Sequence, residues 1–293
     1  MEEEKCCESS TLLVTTRTKI LLRNMYVKLS KKFITNNLLP HLSQTSLGRN
    51  LKVPLWRIIK AIIYRLKTGC QWRELPVGAF CGRTLIHWNT VYYHFRKWSK
   101  DGSWKKMWTE ILRLNKPILD MSSVQLDGSH TPAKKGGEEV GYQNRKKSKT
   151  TNALFLTDKQ GIPLAMSNPI KGNHNDLFNL EVFFTKMLED LKASEINTND
   201  LFLNADAGFD SEGFRKLCLA HDIVANIDFN KRNSKNTDNQ ALKDDQLYKE
   251  RFSVERTNAW IDAFKTLLIR FETKSQTWMS LHYLAFSLII TRF

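Results

Sequence analysis

Two runs of the chain carry an apolar segment onto an aspartate: Ser122-Ser-Val-Gln-Leu-Asp127-Gly-Ser-His130 and Leu201-Phe-Leu-Asn-Ala-Asp206-Ala-Gly-Phe-Asp210. Strand ends in mixed α/β sheets hold side chains rigidly yet let them reach solvent, which suits ligand binding. Two carboxylates fixed side by side repel unless cations neutralise them, so the pair implies hard ions such as Mg2+ or Mn2+. A third carboxylate, Glu255, occurs in Tyr248-Lys-Glu-Arg251-Phe-Ser-Val-Glu255-Arg256, where helical spacing brings Tyr248 and Arg251 near it. Arg251 and Arg256 are suited to steadying phosphate oxygens. Three such carboxylates around two ions roughly 4 Å apart activate water or a 3′-hydroxyl and stabilise the leaving oxygen, with no covalent enzyme intermediate. Ordinary solvated caps and turns at strand ends give the same pattern.

Other residues compete for roles. Asp210 rivals Asp206 but lies beyond the Gly208 turn, which favours Asp206. Asn175 or Asp176 either caps the following helix or joins the metal site with His174. Lys134, Lys135, Arg145, Lys146, Lys147 and Lys149 follow Asp127 in a Gly-rich loop, either to clamp a DNA backbone or as a solvated loop. The five cysteines show neither a CxxC pair nor a Cys/His zinc spacing and are expected as reduced thiols.

The elements that must position these residues fall into two kinds. Residues 1–25 lack a clean period and read as a loose leader. A first helix is expected over Leu29–Leu42, and a second after Pro54, whose Leu55, Ile58, Ile59, Ile62, Ile63 and Leu66 recur at helical steps until Gly69. Thr84 is placed to cap a third, with Trp88, Val91, Tyr92, Phe95 and Trp98 inward. Its opposite face, with His87, Asn89, Thr90, Arg96 and Lys97, is open to DNA contact or to plain solvation. Ser103 starts a fourth, with Trp104, Met107, Trp108, Ile111 and Leu112 inward. The tryptophans read as core.

Past Pro117 the pattern turns to strands at Val124–Leu126, Ala153–Thr157, Pro163–Asn168, Leu201–Asn204 and Ile223–Ile227. Helices are expected over Phe178–Leu191, Ser211–Leu219, Val254–Phe271 and Trp278–Ile290. The sequence therefore predicts a mixed α/β fold: an all-α, helix-turn-helix-like domain over 26–118, then a mixed sheet flanked by helices over 119–293.

Net charge is +15 over 293 residues, and its placement is uneven. Residues 1–120 hold 22 Lys and Arg against 8 Asp and Glu, whereas the remainder is nearly balanced at 23 against 22. A basic module joined to a balanced one suggests that the first holds a polyanion and the second acts on it. No apolar run is long enough to span a membrane, and the acidic start differs from a secretory signal, so a cytoplasmic protein is expected.

With these residues in view, the chain resembles bacterial transposases of the insertion-sequence-five family. The likeness is carried by Tyr64-Arg-Leu-Lys-Thr-Gly-Cys-Gln-Trp-Arg-Glu-Leu-Pro76, Asp127-Gly-Ser-His130, Gly141 through Asn152, Gly172-Asn-His-Asn-Asp176, Ala205 through Ser211 and Tyr248 through Trp260. The resemblance implies a ribonuclease-H-like catalytic domain and a DDE mechanism at Asp127, Asp206 and Glu255 with two Mg2+ or Mn2+ ions. It also implies an N-terminal domain that recognises terminal inverted repeats, strand transfer into target DNA, and a homodimer or larger synaptic assembly. Tyr248 and Arg251 match the family's Tyr-x2-Arg-x3-Glu signature. The signature continues with a lysine seven residues after the glutamate, where this chain has Asp262. Lys265 or Arg256 then stands in as the DNA-contacting base, or the copy is an impaired regulator of transposition. A metal-dependent nuclease without joining activity is a third class.

Overall fold

A computed structural model describes residues 30–44, 51–82, 84, 86–229 and 244–293. The expected leader over 1–25 lies outside these. The chain divides after Ser103 into two compact units.

The first unit is helical. Its opening segment is α-helical over Lys31–Phe33, π-helical over Ile34–Leu38 and 3-10 over Leu39–His41. Helix α1, Leu55–Thr68, buries Ile58, Ile59, Ile62, Ile63 and Leu66. It stops at Gly69, whose φ of 69° is the left-handed conformation that glycine adopts without a Cβ clash. The short α2, Val77–Cys81, and then α3, Trp88–Lys100, complete the unit. Helix α3 starts later than the Thr84 expectation, and His87 caps it by accepting the Asn89 N–H. The aromatic stripe is core as expected: Val91, Phe95 and Trp98 are buried, and the Trp72 ring packs on Tyr92 and Phe95. His87, Asn89 and Arg96 are exposed.

The second unit contains α4, Ser103–Leu114, apart from its first residue. The sequence reading grouped this helix with the N-terminal domain, because periodicity shows that a face is buried but not against what. In the structure Trp108 donates from Nε1 to the Leu164 carbonyl at 3.2 Å, its ring meets Phe286, and Lys105 pairs with Asp190.

The sheet comprises β1 (Val124–Pro132), β2 (Gly141–Gln143), β3 (Ser148–Asp158), β4 (Pro163–Met166), β5 (Ile170–Lys171), β6 (Phe202–Ala205) and β7 (Val224–Ile227). Strand order is β2-β3-β1-β6-β7, with β4 and β5 also pairing with β3. Strand β3 is antiparallel to β1 and β4, whereas β1, β6 and β7 run parallel. Parallel neighbours need crossovers. These are α5, Leu180–Ala193, before β6, and α6, Glu212–Ala220, between β6 and β7. An antiparallel run feeding two parallel strands through helices is the ribonuclease-H-like arrangement.

Helices α7 (Asp245–Lys249), α8 (Ser253–Asp262), α9 (Lys265–Leu268) and α10 (Ser275–Ile290) follow. The single helix expected over Val254–Phe271 is broken at Phe264, which is buried in extended backbone. Beyond the break Arg270 pairs in extended form with Pro132. Helix α10 is buried over nearly its whole length, with His282 and Phe286 against Phe155 of β3, which is why its sequence lacks a polar face. No helix among the described residues is long and apolar enough to cross a membrane.

Candidate active site

Asp127 lies within β1, not at its exit. The Gly128-Ser129-His130 stretch, expected as a flexible turn, continues the strand because β3 pairs with it as far as Pro132↔Thr150. On the other side β6 pairs with β1 through Leu126↔Ala205 and then departs into a 3-10 turn, Ala207–Phe209. The next residue on each parallel strand is an aspartate, so register alone sets Asp127 beside Asp206. Asp206 heads the turn and accepts the Gly208 N–H at 2.7 Å.

Asp127 is half-buried, and its carboxyl is pushed up to about 6. Burial is the main cause; the Gly128 N–H pulls it down, the charges of Asp206 and Asp176 push it up, and Arg251 pulls it down. Asp176 therefore shares this electrostatic neighbourhood. It does not cap α5, whose N-cap is Asn179; its Oδ1 accepts from Asn152 Nδ2 at 2.6 Å. His174 is stacked on Phe178 with ring centroids 3.8 Å apart. Asp210 is engaged by Arg215 at 2.8 Å, and Arg215 also donates to the Ile227 carbonyl.

A row of buried amides crosses the sheet one step before the aspartates: Gln125, Asn204 and Asn226 are register partners on β1, β6 and β7. Side chains two apart on a strand share a face, so this row lies on the face of Asp127 and Asp206. Asn226 donates to Asn204 Oδ1 at 2.7 Å and to the Asp244 carbonyl, and accepts the Asp244 N–H at 2.9 Å. Asp244 caps α7. At the other end Gln125 donates to Ser123, and Ser123 donates to Glu250, which also pairs with Lys159. The segment bearing Tyr248 and Arg251 is thus stapled to the sheet at both ends. Each buried hydrogen bond contributes about 1 kcal/mol net and costs more than that if broken on one side. The Arg251 guanidinium sits 5.3 Å from the Tyr248 ring centroid and 5.0 Å from that of Phe252.

Glu255 lies on the exposed side of α8. The neighbouring Arg256 is spent on the fold, donating to the Gln160 carbonyl at 2.9 Å, and Thr257 donates to the Gly161 carbonyl. The structure brings Asp127, Asp206, Asp176 and Arg251 into one electrostatic group and leaves Glu255 outside it. Arg145, Lys146, Lys147 and Lys149 are exposed on the β2–β3 hairpin, not in an irregular loop; Lys147 is left-handed at its tip, and Lys146 donates to the His130 carbonyl at 2.9 Å. Asp262 is exposed; partial desolvation raises its pKa, and the charges of Lys146 and Lys265 lower it.

Residues 121–289 match the family model described as "DDE superfamily endonuclease", more than half of the chain. The chain belongs to the DDE superfamily endonucleases. Residues 34–108 match a second model, described as "Putative transposase of IS4/5 family". An 85-residue stretch is 28% identical to the "Insertion element IS402 uncharacterized 16.2 kDa protein" of Burkholderia cepacia, covering 28% of this chain and 55% of that one. The chain thus matches about half the length of that relative. The solved "Mos1 transposase paired-end complex with left transposon end" is 11% identical with a TM-score of 0.28, covering 83% of this chain and 79% of that one. The "Mos1 Strand Transfer Complex" gives 11% and 0.31, with 83% and 78% covered. Superpositions this loose carry no weight beside the strand order itself.

DDE superfamily endonucleases use divalent metal ions, and the donors of this DDE endonuclease fit them. Asp127, Asp206 and Asp176 offer only oxygen, the donor type Mg2+ and Mn2+ select. Asp127 is a carboxylate whose ionised form lacks compensation in the protein alone, and a cation would supply it. Among the described residues no three carboxylate, imidazole or thiol groups converge closely enough to enclose an ion. Sequence reasoning missed Asn152, the amide row and the membership of Asp176 in this electrostatic group. The one available signal was Gly128, since a glycine inside a strand marks a close approach by another group.

Proposed function

We propose that this protein is a DNA transposase: its basic helical region binds the terminal inverted repeats of its element, and its second unit cuts the strand there and joins the 3′-hydroxyl to target DNA. The observation that carries the proposal is the register of β1 and β6, which leaves Asp127 and Asp206 side by side with no compensating cation of the protein's own except Arg251. Asp127 and Asp206 hold divalent ions, and Glu255 completes the set from α8. When bound, two such ions activate the attacking water or hydroxyl and stabilise the leaving oxygen. Arg251, propped on Tyr248 and Phe252, faces the phosphate beside the aspartates. Arg145, Lys146, Lys147 and Lys149 meet the DNA backbone from the hairpin, and Lys265 from the start of α9. Arg256 holds the hairpin turn beneath α8 and contributes indirectly. Synapsis of two ends calls for a homodimer or larger assembly, and the protein works on DNA in the cytoplasm.

The test is incubation of the full chain with a labelled duplex carrying the element's own end, in Mg2+ or Mn2+ and in EDTA, resolving cut and joined strands. Metal-dependent joined product that disappears in Asp127→Asn and Asp206→Asn is the expected outcome. Cut strands without joined product would reduce the activity to a nuclease. A second possibility, a catalytically impaired regulator, draws on Asp262, which puts a carboxylate beside Lys146 and Lys265 where the resembled family has a lysine. DNA binding without any product would select it.

A further inference from the structure

Gly128 follows Asp127 within β1, and a Cβ built on it would lie 2.3 Å from Asp176 Oδ1 and 2.7 Å from Asp176 Cγ. The Asp176 carboxylate fills the volume that any other residue at 128 would occupy. Successive residues of a strand point to opposite faces, so this carboxylate approaches from the face opposite Asp127. It still reaches that neighbourhood because β6 leaves the sheet after Ala205, and from Asp127 onward this edge of β1 is no longer covered by β6. Asn152, the register partner of His130 on β3, fixes the approach by donating Nδ2 to Asp176.

A second observation points to a ligand. Asn152 is fully buried, and its Oδ1 has no hydrogen-bond partner. A buried amide oxygen without a donor costs on the order of 1–3 kcal/mol. Beside carboxylates and short of donors, it marks an environment in which negative charge and lone pairs outnumber what the protein supplies to meet them.

We infer that Asp176 is a further carboxylate of the cation site, joining Asp127 and Asp206 from the other face of β1, with Asn152 holding it and Gly128 making room. The inference rests on the proposed metal site at Asp127 and Asp206. It makes Asp127-Gly128, Asn152 and Asp176 one device: a glycine for access, an amide for orientation and a carboxylate for charge.

The test is Mn2+ binding to the full chain without DNA, read from the electron paramagnetic resonance signal of the free ion, with circular dichroism checking the fold. Asp176→Asn should weaken Mn2+ by about tenfold or more, within the range seen when groups orienting a metal site are removed. Gly128→Ala keeps every carboxylate but displaces that of Asp176, and should weaken binding to a similar degree; it decides the matter if Asp176→Asn fails to fold. Glu212→Gln, a surface carboxylate paired with Lys216, should bind as the unaltered chain does. Unchanged Mn2+ affinity in folded Asp176→Asn or in Gly128→Ala, with loss in Asp127→Asn, would overturn the inference and leave the proposed function standing. Unchanged affinity in Asp127→Asn, or no binding by the unaltered chain, would sink the metal reading and this inference with it.

Discussion

Replacing Asp127 by asparagine should make the protein more stable at neutral pH while abolishing its chemistry. The Asp127 carboxyl is pushed from 3.8 to about 6, chiefly by burial. A raised acid means that the folded state holds its proton longer than the unfolded chain does. Stability is therefore highest at low pH and falls as pH climbs from about 4 to about 6. A little over two pH units at about 1.4 kcal/mol each sets a ceiling of about 3 kcal/mol on the loss. Asparagine carries no charge and keeps an oxygen for the Gly128 N–H, so it should recover about 1–3 kcal/mol of this. At 2–4 °C per kcal/mol for a unit of this size, the melting temperature should rise by roughly 2–10 °C at pH 8 in EDTA. Urea and thermal melts of both proteins at pH 4 and pH 8 provide the assay, and the two should coincide at pH 4. A difference independent of pH, or a less stable Asp127→Asn at pH 8, would refute the account of Asp127 as an uncompensated buried charge.

Trp108→Ala removes a ring packed on Phe286 and a hydrogen bond to Leu164. It should cost about 3–5 kcal/mol in urea melts, and a cost near zero would detach α4 from the second unit's core. Asn226→Ala breaks the link between Asn204 and Asp244; strand cleavage should fall more than DNA affinity, and an equal fall in both would contradict its positioning role. Affinity for duplex DNA should drop by about 10³-fold or more between 50 and 200 mM salt if the basic first region makes six or more phosphate contacts, and a flat titration would remove that role. Asp262→Lys replaces a negative charge near Lys146 and Lys265 by a positive one, so DNA binding should tighten and its salt slope steepen. No change in slope would place this position away from the DNA.

The elements whose periodicity reflects burial were the legible ones: α1 and α3 by their apolar stripes, β6 by its apolar run and abrupt end at Asp206. Strand β1 was read three residues long because Gly128, Ser129 and His130 look like a turn, and only the pairing with β3 reveals otherwise. Helix α4 was recognised but assigned to the wrong neighbour. The long helix after Val254 was read through Phe264, since the burial that bends the chain there has no local signature. At the site, Asp127 and Asp206 follow from strand ends, whereas Asp176 depends on Asn152, 24 residues earlier, and spacing says nothing of such a pair. Arg256 was read as a phosphate contact, yet its hydrogen bond goes to a turn 96 residues away in sequence.

That last hydrogen bond has a consequence for time as well as place. Arg256 and Thr257 grip the consecutive carbonyls of Gln160 and Gly161, and the Ser253 carbonyl lies close enough to Gly161 that a Cβ there would approach it to 2.7 Å. A helix held at these points along one side cannot roll about its axis without breaking them. Whatever reach Glu255 has toward the aspartates is then set by rotation of its own side chain, on the picosecond-to-nanosecond scale of exposed rotamers, and not by the microsecond-to-millisecond rearrangement that a loose helix would require. Completing the carboxylate set is accordingly too fast to limit turnover, and slow steps fall to the pairing and release of DNA.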